Sequence, residues 1–132
     1  MRKAWVILIA LLIVTALVAG SRLFGAEDDE KAAGAAVTLK GTVVDMHCYV
    51  THGIRDAKHT ACSNACIARG VPAGFLADDG KLYVLFGQKP FSVKEQVAGL
   101  ADVPAVLTGT PVERAGIRGI QIETIEKAAP AK

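Results

Sequence analysis

From Ala4 to Gly20 the chain carries no charge and, Thr15 apart, only apolar residues and glycine, with Met1-Arg2-Lys3 before the run and Arg22 after it. A stretch that is apolar on every side has no solvent face, so it is no surface helix of a small globular domain. A positive start followed by such a run is the pattern read by export machinery. The fold must therefore be built from the residues beyond Gly20. At ~1.5 Å per residue the run reaches about 25 Å, just short of the ~30 Å hydrocarbon core of a bilayer. Val18-Ala19-Gly20 is a mediocre cleavage site, and no cysteine before Cys48 offers a thiol for a lipid anchor. Residues 1–25 read as a signal peptide or signal anchor, with a retained anchor favoured. Arg2 and Lys3 then stay inside and the rest lies outside the cytoplasm, in the periplasm or at the cell surface.

Residues 26–36, with Glu27-Asp28-Asp29-Glu30 among alanines and glycines, offer no apolar face and read as a flexible acidic linker. One domain is expected over residues 37–127, with a short tail at 128–132. The chain has 15 Lys and Arg against 13 Asp and Glu. Four of each precede Val37, so the domain is nearly neutral, and its basic residues are scattered. That leaves no electrostatic footprint for nucleic acid. The single Trp is Trp5, inside the apolar run, so a base-stacking platform has little support either. The partners expected are the membrane, through the N-terminal segment, and an envelope protein.

Val37 to Asp45 is rich in β-formers, with Gly41 marking a bulge or bend. His59 to Arg69 turns helical, with Thr60 as a cap and Gly70-Val71-Pro72 as its end. Gly74 to Ala77 and Lys81 to Phe86 flank Asp78-Asp79-Gly80 as a hairpin. Ser92 and Glu95 form a capping-box pattern for a short helix ending near Gly99. Val103 to Val112 and Ile117 to Ile125 make two strands, in the second of which Ile120 and Ile122 alternate with polar residues and Ile125 falls one step out of phase. These elements make a mainly β fold. Five strands with a helix between the third and fourth resemble the OB-fold, a small Greek-key barrel, here with a Cys/His-bearing helical insert after the first strand. An SH3-like barrel and an open α+β sheet are the alternatives.

All three cysteines and all three histidines of the chain lie between His47 and Cys66. On a helix His59, Cys62 and Cys66 share one stripe, and Cys62 and Cys66, one turn apart, reach a single ion. With His59 curled in just before the helix and Cys48 arriving from the end of the first strand, a Cys3His set forms. This is a familiar tetrahedral zinc arrangement. His47 and His52 are auxiliary ligands at most. Asp45 and Asp56 could orient a ligand histidine, but turn hydrogen bonds account for them as well. Thiolate and imidazole suit zinc and copper. Met46 beside the cluster would suit Cu(I), and an iron–sulfur cluster fits an oxidising compartment less well.

The same compartment favours disulfides, and three cysteines leave one thiol after one bridge. A bridge from Cys48 to Cys62 or Cys66, with a redox-reactive third cysteine, is therefore an open alternative, as is an adaptor subunit of an envelope or respiratory complex whose cysteines only brace the insert. No nucleophile with a paired base occurs outside the cysteine window, so an enzyme has little support.

Val43-Val44-Asp45-Met46-His47-Cys48-Tyr49, His59-x-x-Cys62-x-x-x-Cys66, Gly70-Val71-Pro72 and Leu82-Tyr83-Val84-Leu85 together resemble a group of small exported bacterial proteins sharing this signature. The resemblance implies export and carries no activity. In layout, a tethered OB-like domain is also similar to the haem chaperone of cytochrome c maturation. That family's His-x-x-x-Tyr haem attachment is absent here, so its haem role does not transfer.

Overall fold

The computed structural model describes residues 34–90 and 92–129. The expected N-terminal signal or anchor and most of the linker lie outside them. Among the described residues no helix is long and apolar enough to cross a membrane.

β1 (Val37–Asp45) starts as an alternating strand and becomes buried toward its end. It pairs antiparallel with β4 (Pro104–Arg114) over Val37–Thr42 and with β2 (Ala73–Ala77) over Gly41–Asp45. Gly41 is where β1 passes from one neighbour to the other, facing both Ala77 and Ala105. A Cβ there would run into the Leu76 carbonyl oxygen and stand 2.8 Å from the Ala77 Cα. Only glycine permits that approach, and the register runs unbroken through it on both sides, so Gly41 marks a close strand contact and not a bulge.

β2 continues through the Asp78-Asp79-Gly80 turn into β3 (Leu82–Phe86), as its turn residues predict. Gly80 takes a φ of 84° and donates its N–H to the Ala77 carbonyl. β4 turns into β5 (Ile117–Lys127) through Ala115 and Gly116, at φ 50° and 76°. Two successive left-handed residues suit the right-handed twist of a hairpin. β5 then lies parallel to β3, from Val84 opposite Gly119 to Phe86 opposite Gln121. The five strands thereby close in a ring in the order β1-β2-β3-β5-β4.

The phase slip in β5 has a local cause. Thr108 faces Thr124 but Gly109 faces Ile122, so Glu123 is an extra residue on β5. A bulge of this kind flips the alternation. Ile120 and Ile122 are fully buried, and Ile125, beyond the bulge, still packs against the core of Val43, Phe75, Leu85 and Leu107.

Three short helices interrupt the ring, and here the structure departs from expectation. Met46–His52 is a helix, α1, where the sequence suggested the end of a strand and a loop. α2 spans Thr60–Ala68, but His59 occupies its cap position and Thr60 is the first helical residue. The Ser92–Glu95 capping box does not form at α3 (Val93–Gln96): the Ser92 hydroxyl donates backward to the Lys89 carbonyl.

Candidate functional site

The site begins at the last residue of β1. Asp45 caps α1, its Oδ1 accepting the N–H of His47 at 2.8 Å and of Cys48 at 3.1 Å. Aspartate at this position satisfies amides that the first helical turn cannot pair itself. At the other end Gly53 adopts φ 69° and closes the helix with its N–H on the Cys48 and Tyr49 carbonyls. Cys48 thus projects from the first turn of a helix, not from a strand end as its position after a β-rich run suggests.

Asp56 prepares the next element. Its carboxylate accepts the Lys58 N–H and its carbonyl the His59 N–H, the turn bonding expected of it. His59 therefore lies immediately before α2, as anticipated, and its Nε2 is buried and makes no hydrogen bond. In α2 the inward stripe is Ser63 and Ile67. Cys66 lies half-buried on its flank and Cys62 is exposed; Cys48 is half-buried, and all three cysteines are free.

α2 is held from below by polar contacts. The buried Ser63 hydroxyl donates to Asp102 Oδ2 at 2.5 Å, and Asn64 Oδ1 accepts the Ala101 N–H. Asp102 has φ 58° and donates its own N–H to the Val43 carbonyl at 2.8 Å. A non-glycine residue in this region is uncommon and persists when its surroundings demand it. Neither Ser63 nor Asp102 could be singled out from sequence: they are separated by 39 positions and match no motif.

The three thiols share one electrostatic neighbourhood. Burial pushes the Cys48 thiol above its ordinary value, and the charge of Asp45, then Cys62 and Asp102, acts in the same direction. For Cys66, burial again comes first, followed by Asp45 and Cys62. As the side chains stand, no three His, Cys, Asp or Glu residues among those described form a group that could hold a metal ion. The three cysteines stand on α1 and α2, and among the described residues no closed coordination set is formed.

The auxiliary candidates His47 and His52 sit on α1 with Cys48. His47 and His52 are exposed and meet edge to face, with ring centroids 6.1 Å apart. Met46 is taken up by packing: its Sδ fills the space that a Cβ on Gly74 would need. Two surface cavities, about 270 Å³ beside Tyr83, Pro111 and Arg118 and about 210 Å³ beside Ile67, Pro72 and Leu85, are not lined by a cysteine.

No protein-family model, curated protein or solved structure matches the chain. The site's chemistry is therefore read from its own residues.

Proposed function

We propose that this is an exported, membrane-tethered metal-binding protein without enzymatic activity, holding zinc or copper through Cys48, Cys62, Cys66 and His59. The domain is read as an OB-fold-like barrel. That reading is supported by the ring order β1-β2-β3-β5-β4, the parallel β3–β5 pair and the helix between β3 and β4. The observation that carries the function is the placement of three free cysteines on two successive short helices, Cys48 on α1 and Cys62 and Cys66 one turn apart on α2, with His59 just before α2. Cysteine has one side-chain torsion with three staggered wells, so its sulfur can be re-aimed at little cost when an ion binds. His59 adds a buried ring nitrogen with no other partner.

The competing chemistry, thiol–disulfide exchange, wants a thiol whose pKa is lowered toward the ambient pH. Burial and Asp45 do the opposite at Cys48 and Cys66. A bound cation would displace those protons and offset the negative charge. The N-terminal segment supports the extracytoplasmic location, and an envelope protein that donates or receives the ion is the partner implied.

Metal analysis of the purified, reduced full chain tests the reading. About one equivalent of zinc or copper is expected per chain, falling to a trace when Cys62 and Cys66 are changed to serine. A content far below one that those changes leave unaltered overturns it. Alkylation of the native protein followed by mass spectrometry separates the alternatives: three masked, unbridged cysteines support metal, whereas one labelled and two bridged support redox exchange.

A further inference from the structure

The first described residue, Gly34, is already tied to the barrel. Its N–H donates to the Pro111 carbonyl at 3.3 Å, and a Cβ on it would stand 3.3 Å from the Pro111 Cγ. The chain therefore arrives against β4, at the part of that strand which β1 leaves uncovered. The β1 ladder ends with Val37 opposite Gly109, while β4 continues through Thr110 to Arg114. Backbone groups along an uncovered strand edge are a template for one more extended segment.

Beside this edge lies the cavity of about 270 Å³, and Gly34 forms part of its wall with Lys81, Tyr83, Pro111, Glu113 and Arg118. Two of these residues are cations. Arg118 stands opposite Glu113 in the β4–β5 ladder, but their side chains meet only at 4.0 Å, too far for a hydrogen bond. The Arg118 side chain is 53% exposed, and its planar fork suits a carboxylate. Lys81 holds Asp79 at 2.7 Å with one of three ammonium donors. Just upstream of Gly34 the sequence carries Glu27-Asp28-Asp29-Glu30. Glu30 is four positions before Gly34, an extended reach of about 13 Å, and Glu27 is seven, about 23 Å. Arg118 falls within that reach: it is one strand over and two residues along from Pro111, roughly 8 Å by ordinary sheet spacings.

We propose that Glu27-Asp28-Asp29-Glu30 folds back onto this cavity, placing carboxylates on Arg118 and Lys81 while its backbone runs along the open edge of β4. The occupant is a segment of this chain and not a separate acidic peptide. A short tether keeps it at an effective concentration of about millimolar, and the residue it leads into is itself part of the cavity wall. Single exposed ion pairs are weak, so the docking depends on several contacts made together and opens at high salt. The proposal is independent of the metal-binding reading. Docked, the segment fixes which end of the barrel the N-terminal part of the chain approaches. The helix carrying Cys48 begins at the opposite end of β1, eight steps of about 3.3 Å away.

Zero-length carbodiimide cross-linking of the full chain in neutral detergent, read by mass spectrometry, tests it. Lys81 should be joined to a carboxylate of residues 27–30, with the Lys81–Asp79 linkage as internal control. Raising the salt from about 0.01 M to about 1 M, which shortens the screening length from about 30 Å to about 3 Å, should reduce the linkage at least about fivefold. Arg118→Glu should do the same at low salt. Changing residues 27–30 to lysine in that variant should restore docking, now as links from the new lysines to the carboxylate introduced at position 118. Hydrogen exchange keeps the outcome separate from any loss of fold. Neutralising residues 27–30 to their amides leaves every barrel residue in place, and it should speed exchange along Thr110–Arg114 by about fivefold while the rest of β4 is unchanged. Linkage spread evenly over Lys81, Lys89 and Lys127, linkage indifferent to salt and to Arg118→Glu, or unchanged exchange along that edge overturns the proposal. Linkage found only between isotopically distinct copies overturns it in favour of a second chain. Loss of the linkage on adding phosphatidylglycerol vesicles overturns it in favour of a lipid surface.

Discussion

Asp45 uses one oxygen for the fold: Oδ1 ends β1 and starts α1, while Oδ2 is buried and makes no hydrogen bond among the described residues. The cap was legible in the sequence, since aspartate before a helical stretch and Gly53 after it are ordinary boundary residues. The strand propensity of Val37 to Asp45 masked it, and the seven residues between cap and glycine are too few to display a helical period. At the opposite extreme of exposure, Asp79 and Lys81 pair at 2.7 Å in the β2–β3 turn. Hydrogen bonds from Lys81 hold the Asp79 carboxyl below its ordinary range, and Asp79 raises Lys81 in return. The pair's small contribution is present above the unfolded carboxyl value and lost as pH falls through the lowered one. An NMR titration should therefore find Asp79 titrating low in the wild type and returning upward in Lys81→Ala.

At the scale of elements, α2 depends on contacts outside itself. It has no side-chain hydrogen bond at its cap, and only Ser63 and Ile67 are buried along it. Nine residues are too short to be helical alone in water, so packing must hold it. The Ser63–Asp102 bond is the polar part of that packing. Ser63→Ala should cost about 2 kcal/mol, because the hydroxyl leaves behind a buried carboxylate with no partner. Thermal unfolding followed by circular dichroism measures it. A change within experimental error would mean that Ile67 alone docks the helix. The failed capping box at α3 shows the same dependence on context. The Ser92 hydroxyl donates to the Lys89 carbonyl instead of accepting the Glu95 N–H, and a four-residue helix gains little from a cap.

For the whole molecule, closing the ring is the decisive event. It requires β1 to serve two neighbours and β5 to pair with both β4 and β3. Gly41 is where the first requirement is met. Gly41→Ala would drive a methyl group into the Leu76 carbonyl and the Ala77 backbone. Neither neighbour is a flexible side chain, so the strands must part. A loss of about 3 kcal/mol is expected in a urea denaturation series, at the upper end of ordinary overpacking. A substitution that leaves the midpoint unmoved would show that the ring has slack at this crossing.

By itself the sequence determined the strands, their hairpin turns and the confinement of every cysteine and histidine to one window. These depend on alternation and turn chemistry within a few residues, which a linear chain displays directly. Even the slip at Ile125 was visible, though its cause, the bulge at Glu123, needed the register of β4. Tertiary structure alone decided that β3 and β5 run side by side, that Cys48 leaves from a helix, and that Asp102 anchors α2 from 39 positions away. It also set the exposed rings of His47 and His52 edge to face. Such placements arise from packing between distant segments, and no local pattern encodes which buried oxygen will be left without a partner.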